Sequence, residues 1–133
     1  MDSRYLAGML AIALVVTLGC GGGSGVERNT ITGTVTYEGK PVPHGKIRFE
    51  PDREKGGSGP QGLAVITDGE YSTDDLAGKG VVSGPMKVAI EGYPSKEPMI
   101  PLMFPIYRDT IDVSPDNLVF DFSISKQPKQ EEN

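Results

Sequence analysis

The sequence predicts an all-β domain, a seven-stranded antiparallel β-sandwich preceded by a short signal helix. Three observations support this prediction. Apolar and polar residues alternate with a period of two in several short segments between residues 31 and 125. Turn-forming residues separate those segments. Within this region no stretch of useful length shows the 3.6-residue period of an amphipathic helix.

The first two predicted strands are residues 31–37 and 45–50. The first places three threonines on one face and apolar residues on the other, which is typical of a half-buried strand. Glu38-Gly39 predicts a turn, since glycine adopts positive φ without steric cost. In the second strand Ile47 and Phe49 point inward. Pro51 ends it, and residues 52–60 form a polar loop with solvated charges.

A hairpin is the clearest local prediction. Asp68-Gly69 separates strands 62–67 and 70–73, and this dipeptide is the strongest short-range hairpin signal known. After a glycine-rich connection, residues 86–91 alternate again, so that Met86, Val88 and Ile90 face the core.

The closing strands are residues 109–113 and 118–125. Four prolines in residues 94–105 exclude a central strand there, and Ser114-Pro115-Asp116-Asn117 has turn chemistry. Asp121 points outward, where we expect no structural role for it. The core face of the last strand consists of Leu118, Phe120, Phe122 and Ile124.

Composition excludes several classes of function. The chain has 133 residues, room for one domain, and a formal charge of −5, which argues against nucleic-acid binding. A single cysteine, Cys20, excludes an internal disulfide and a thiolate zinc cluster. A single histidine, His44, is expected in a solvated turn and excludes any site with two imidazoles. We therefore predict no catalytic residue, no metal and no cofactor.

The N-terminus carries the pattern of a lipoprotein signal. Residues 6–18 are uncharged and apolar, too short to span a bilayer but suited to a signal peptide. Gly19-Cys20 and the glycines that follow resemble a bacterial lipobox, which implies cleavage after residue 19 and acylation of Cys20. Thr17 and Leu18 depart from that pattern by one position. Plain secretion and an uncleaved anchor are the alternatives.

The predicted boundaries follow from this interpretation. Residues 1–19 are the signal peptide, 20–29 the lipidated cysteine and glycine-rich tether, 30–125 the β-domain and 126–133 a disordered tail. Gly21 follows the cysteine in place of the aspartate that retains lipoproteins in the inner membrane. Outer-membrane placement is therefore favoured over inner, with the periplasmic or surface side left open.

Residues 33–42 (GTVTYEGKPV) and 45–51 (GKIRFEP) resemble the opening hairpin of carboxypeptidase regulatory-like domains. With weaker matches further along, the resemblance covers residues 31–124. It is nearest to short planctomycete-type lipoproteins made of a signal, a tether and one such domain. The resemblance implies a transthyretin-like Greek-key sandwich. It implies no peptidase activity, because in the parent enzymes a separate domain binds zinc.

The expected function is that of a non-catalytic, membrane-anchored envelope module that binds or supports other components. The alternative is an accessory carbohydrate- or protein-binding domain that serves a separate envelope enzyme. Partners are the lipid bilayer, through acylated Cys20, and an envelope protein. The oligomeric state is left open. Candidate contact residues are Met99, Leu102, Met103 and Phe104, for which the competing interpretation is a loop that plugs one end of the sandwich.

Overall fold

The computed structural model describes residues 25–75 and 79–126, and these form an all-β domain with almost no helix. The one helical element in this part of the chain is a 3₁₀ turn, Arg53–Lys55. The strands are β1 (Thr32–Tyr37), β2 (Lys40–Pro41), β3 (His44–Pro51), β4 (Gly62–Thr67), β5 (Glu70–Ser72), β6 (Gly84–Tyr93), β7 (Tyr107–Val113) and β8 (Phe122–Ile124).

The strands join into one curled, mainly antiparallel sheet. Its hydrogen-bonded order is β2-β1-β5-β4-β3-β6-β7, and β8 pairs with β1 off this path. The sheet thus closes into a half-barrel whose two open margins are β7 and β8. Tyr107 on β7 and Phe122 on β8 meet across the opening, with ring centroids 6.4 Å apart in an edge-to-face arrangement.

The predicted core faces are confirmed. Ile47 and Phe49 on β3 are fully buried, while the neighbouring Lys46 and Arg48 are exposed. The alternation also holds in β4 and β6, because successive side chains point to opposite faces. The core consists of Ile31, Val35, Val42, Ile47, Phe49, Ala64, Ile66, Tyr71, Val81, Val82, Met86, Val88, Ile90, Phe104, Val113, Phe122 and Ile124.

Two tight turns have the geometry that their sequences predict. Asp68 and Gly69 have φ values of 50° and 79°, and Glu38 and Gly39 have 52° and 79°. Positive φ at both central positions is the signature of a type I′ turn, whose twist matches that of antiparallel strands. The second turn joins β1 to β2, a two-residue strand that the sequence had not predicted.

Strand β1 has different partners on its two sides. On one side it pairs antiparallel with β5 and then with β2. On the other side Val35–Tyr37 pair in parallel with β8, and Thr32 forms an isolated parallel bridge with Val119. The parallel pair departs from the antiparallel prediction. The chain leaves β7 through the turn at Ser114–Asn117 and crosses to the opposite margin of the sheet, so that β8 runs beside β1 in the same direction.

The predicted strand 118–125 is regular only over Phe122–Ile124. Just before Phe122, hydrogen bonds from side chains replace the main-chain hydrogen bonds of the ladder. The carboxylate of Asp121 accepts from the Thr34 amide at 2.9 Å and from its hydroxyl at 3.0 Å. The Tyr71 hydroxyl donates to the Phe120 carbonyl at 2.7 Å. Asp121 is exposed, as predicted, but the expectation that it has no structural role was wrong.

Gly33 makes room for the Tyr71 side chain to reach across β1 to β8. It lies opposite Tyr71 in the β1–β5 pair, and a Cβ there would collide with the Phe120 carbonyl. With no side chain at Gly33, the tyrosine ring passes over β1 and reaches β8. Tyr71 thereby links the three strands β5, β1 and β8.

The domain has two ends, which we call the near end and the far end. Asn29, Gly62, Gly84 and Val113 mark the near end, where the chain enters: Asn29 exchanges hydrogen bonds of 2.7 and 2.8 Å with Val81. Asn29, assigned to the tether from sequence, is thus paired into the fold. The far end is marked by Tyr37, His44, Tyr93, Phe104 and Ile124.

Two polar residues lie elsewhere than predicted. His44 is not in a solvated turn but begins β3, paired with Thr67 and Tyr93, and its Nδ1 atom is buried without a partner. Asp52 is 2% exposed and not a solvated loop charge. It caps the 3₁₀ turn by accepting from the Glu54 amide, and Lys87 approaches it at 3.8 Å.

Candidate functional site

The predicted site residues divide into two groups. Cys20, the signal peptide 1–19 and residues 127–133 of the predicted tail lie outside the described residues. The four loop residues Met99, Leu102, Met103 and Phe104 are all described, and they lie together at the far end.

Those four residues differ in burial. Phe104 is 5% exposed, and its ring lies 5.0 Å from that of Tyr37 and closes over Gly92. Met103 is half-buried, and its amide donates to the Gly92 carbonyl at 2.9 Å, which fixes the loop to β6. This packing is what the plug interpretation predicts for Phe104.

The other two loop residues face solvent. Met99 is fully exposed and has a φ of 64°, and Leu102 is 37% exposed. A non-glycine residue at positive φ is uncommon and costs roughly 1–3 kcal/mol, so neighbouring structure must hold it there. The prolines at 98 and 101 restrict the backbone on either side of Met99. The loop therefore presents apolar side chains from a stiffened backbone.

A groove of about 600 Å³ opens beside this loop, between the margins β7 and β8. Tyr37 and Phe104 form its floor, and Tyr107 and Ile124 form opposite walls. Its remaining lining residues are Met103, Pro105, Ile106, Arg108, Ser125 and Lys126.

The described charges in the groove have one sign. Among the described lining residues Arg108 and Lys126 alone are charged, and both are exposed. Among residues 25–75 and 79–126 the single ion pair within 4.0 Å is Lys87–Asp52, at the near end. In a chain of net charge −5, the groove is a local cationic site with an apolar floor.

Tyr107 ties the groove wall to the adjoining strand edge. Its hydroxyl donates to the Asp109 carboxylate at 3.1 Å. Partial burial, followed by the hydrogen bond to Asp109 and its negative charge, raises the pKa of Tyr107 above its usual value of 10. The phenol therefore stays protonated at neutral pH and acts as a donor.

The groove residues Tyr37, Arg108 and Lys126 were not singled out from the sequence. They come from β1, from β7 and from the residues just after β8. Tyr37 is more than 70 positions away from the other two in the sequence. Only the parallel β1–β8 pairing and the curl that turns β7 toward β8 bring them together. Alternating patterns report which face a residue occupies but not which strand margins meet.

No family model, curated protein or solved structure matches this chain. In the described part of the chain, no helix has the length and apolar character needed to cross a bilayer. Within the same residues no three histidine, cysteine, aspartate or glutamate side chains gather in a group that could hold a metal ion.

Proposed function

We propose that this protein is a membrane-anchored, non-catalytic lipoprotein of the cell envelope, whose β-domain binds or supports another envelope component. The anchor is acylated Cys20, and the outer membrane is favoured over the inner. The observation that carries the proposal is the direction of the chain: it enters the domain at the near end, at Asn29. The groove and the exposed loop residues Met99 and Leu102 lie at the far end.

This arrangement suits display from a surface. A chain anchored ahead of residue 25 would hold the near end toward the lipid and turn the groove away from it. Six residues of β1 at about 3.3 Å each place the two ends about 20 Å apart. Binding residues concentrate on such loops and margins, positioned by a rigid sheet.

We further propose that the curled sheet is a transthyretin-like Greek-key sandwich of the carboxypeptidase regulatory-like kind. Strand β1 supports this topology, because it pairs with β5 on one side and with β8 on the other and so joins the two parts of the curled sheet. The type I′ turn at Glu38-Gly39 falls inside the motif that carries the resemblance.

The alternative is an accessory domain for a separate envelope enzyme, with a carbohydrate or protein ligand. A protein ligand has more support than a glycan. The chain contains no tryptophan to stack on a sugar, and Tyr107 already packs edge-to-face against Phe122. Tyr93, a second tyrosine that could stack on a sugar, lies beside His44, and the two ring centroids are 6.4 Å apart.

Replacement of Cys20 tests the anchor. The wild-type membrane fraction should yield an intact mass that lacks residues 1–19 and carries two or three acyl chains, each worth about 0.8 kcal/mol per buried methylene. Cys20→Ser should leave the membrane, whereas the matched tether change Ser24→Ala should stay. Membrane retention of Cys20→Ser would refute lipidation and indicate an uncleaved anchor.

A further inference from the structure

The hydrogen-bonding groups on the open margin of β7 are not equally available. Pro85 on β6 accepts from the Asp52 amide on the β3 side. In an antiparallel strand the N–H and C=O of one residue point the same way. Asp112, which lies opposite Pro85, therefore turns its main-chain groups away from β6, and so do Thr110 and Arg108.

Side chains occupy this margin toward the near end. The Thr110 amide donates to the Asp109 carboxylate at 2.8 Å, and the Asp112 carbonyl accepts from the Asn117 side chain at 3.2 Å. Such contacts obstruct the addition of another strand. At Arg108, in the part of the chain that the structure describes, neither main-chain group has a partner. Among the outward-facing residues of β7, Arg108 at the groove is therefore the one whose amide and carbonyl are both open.

Strand β8 offers the matching margin across the groove. Val35 directs its main-chain groups to the β5 and β2 side, bonding to Gly69 and Val42. Thr36 therefore faces β8, where it engages Phe122 and Ile124, so that Ser123 turns outward. In the described part of the chain, main-chain groups without a partner thus flank the apolar groove, at Arg108 on one side and at Ser123 on the other.

We propose that the groove binds an extended acidic peptide, which adds as a short strand to β7 at Arg108. The open main-chain groups favour a peptide over a lipid or a sugar, since only another backbone satisfies a strand edge in this way. Alternate side chains of the peptide fill the apolar floor of Tyr37 and Phe104. Its carboxylates pair with Arg108 and Lys126. This inference rests on the proposed binding role and is independent of the anchor at Cys20.

Fluorescence anisotropy of the full chain in detergent, with three labelled synthetic peptides, tests the proposal. The acidic peptide ETVTLTE should bind saturably, with a dissociation constant below about 1 mM. The basic peptide KTVTLTK tests charge, and ETVPLTE, which lacks a central N–H, tests strand addition. Both controls should bind more weakly. Absence of saturable binding by ETVTLTE, or equal binding of all three, would overturn the proposal.

Variants locate the site. Arg108→Gln with Lys126→Gln should weaken ETVTLTE binding about 2- to 30-fold, as expected for two exposed ion pairs. The near-end change Lys55→Gln removes a distant cation and should leave binding unchanged. Each variant should keep the wild-type melting temperature. Full binding by the double variant would place the peptide elsewhere.

A gain-of-binding variant separates strand addition from charge. In a Tyr107→Phe background, which removes the hydroxyl that donates to Asp109, Asp109→Ala frees the Thr110 amide and should tighten ETVTLTE binding about two- to tenfold beyond Asp112→Ala. The latter removes an equal charge from the same strand but leaves that amide capped. Equal affinities would refute strand addition. Dimerisation of Asp109→Ala without peptide would make a second copy the occupant. Membrane retention is measured separately, so failure here leaves the lipoprotein proposal intact.

Discussion

Replacing Tyr71 with phenylalanine removes one hydroxyl from the point where three strands meet. The ring, 4% exposed, keeps its packing against Phe49 and Phe122. What is lost is the 2.7 Å hydrogen bond to the Phe120 carbonyl. The nearby amide of β1, that of Thr34, already donates to the Asp121 carboxylate. No other donor in the described residues therefore bonds to the Phe120 carbonyl.

The expected cost is that of an orphaned, partly buried acceptor, about 1–3 kcal/mol of the free energy of unfolding. For a domain of this size, each kilocalorie lowers the melting temperature by about 4–8 °C. Tyr107→Phe is the matched control, because its hydroxyl bonds to an exposed carboxylate on the surface. We expect the control to change stability by less than about 0.5 kcal/mol.

The pH dependence of this difference provides a second measurement. Burial, and then the negative charge of Asp121, raises the pKa of Tyr71 far above its usual value of 10. A raised pKa contributes stability that is fully present below pH 10. It is lost as the pH rises, since the unfolded chain releases a proton that the folded chain retains. Tyr71→Phe lacks this dependence.

Urea unfolding of both full-length proteins at pH 8 and pH 11 measures the effect. The stability advantage of wild type over Tyr71→Phe should shrink by about 1.4 kcal/mol between these pH values. Tyr107 titrates in both proteins, so its contribution cancels. An advantage below 0.5 kcal/mol at pH 8, or one that grows with pH, would refute the reasoning.

Three further substitutions test the core, the crossing and the loop, each by the midpoint of urea unfolding. Phe122→Ala should lower the free energy of unfolding by about 3–5 kcal/mol. Ser123→Ala, at the exposed neighbouring position, should change it by under about 0.5 kcal/mol. If Ser123→Ala is the more costly change, the strand register is wrong by one residue. Asp121→Ala should cost about 1 kcal/mol, because its carboxylate bonds to a β1 amide, and a neutral result would show that water replaces it. Phe104→Ser should lower the free energy of unfolding by at least about 3 kcal/mol if the ring plugs the core. Met99→Ser, at a fully exposed position, should leave stability unchanged. Equal losses of stability in the two variants would contradict the plug interpretation.

Local sequence patterns predicted the parts of the fold that depend on neighbours in the chain. The type I′ turn at Asp68-Gly69 follows from two residues that tolerate positive φ. The buried face of β3 follows from simple alternation at Ile47 and Phe49. Such features are decided within a few positions, by sterics and by the partition of side chains between core and water.

Features that depend on remote pairing were not predictable in the same way. Asp121 looks like an ordinary outward residue of a strand, and only the approach of Thr34, 87 positions away, gives it partners. The buried Nδ1 of His44 likewise reflects an extension of β3 that no local pattern marks. The groove itself exists because two margins meet, which depends on the curl of the whole sheet.

The parallel pairing of β1 and β8 also determines how the domain responds to force. The chain enters at the start of β1, at the near end, and leaves β8 at the far end. Tension between an anchor at one end and a pull on Lys126 at the other slides these two strands past each other. The hydrogen bonds that join residues 32–38 to residues 118–124, from Thr32–Leu118 to Glu38–Ile124, lie across the direction of pull and must break together. Resistance to tension is set by the rate of that concerted rupture, so the fold is suited to a component held under mechanical strain.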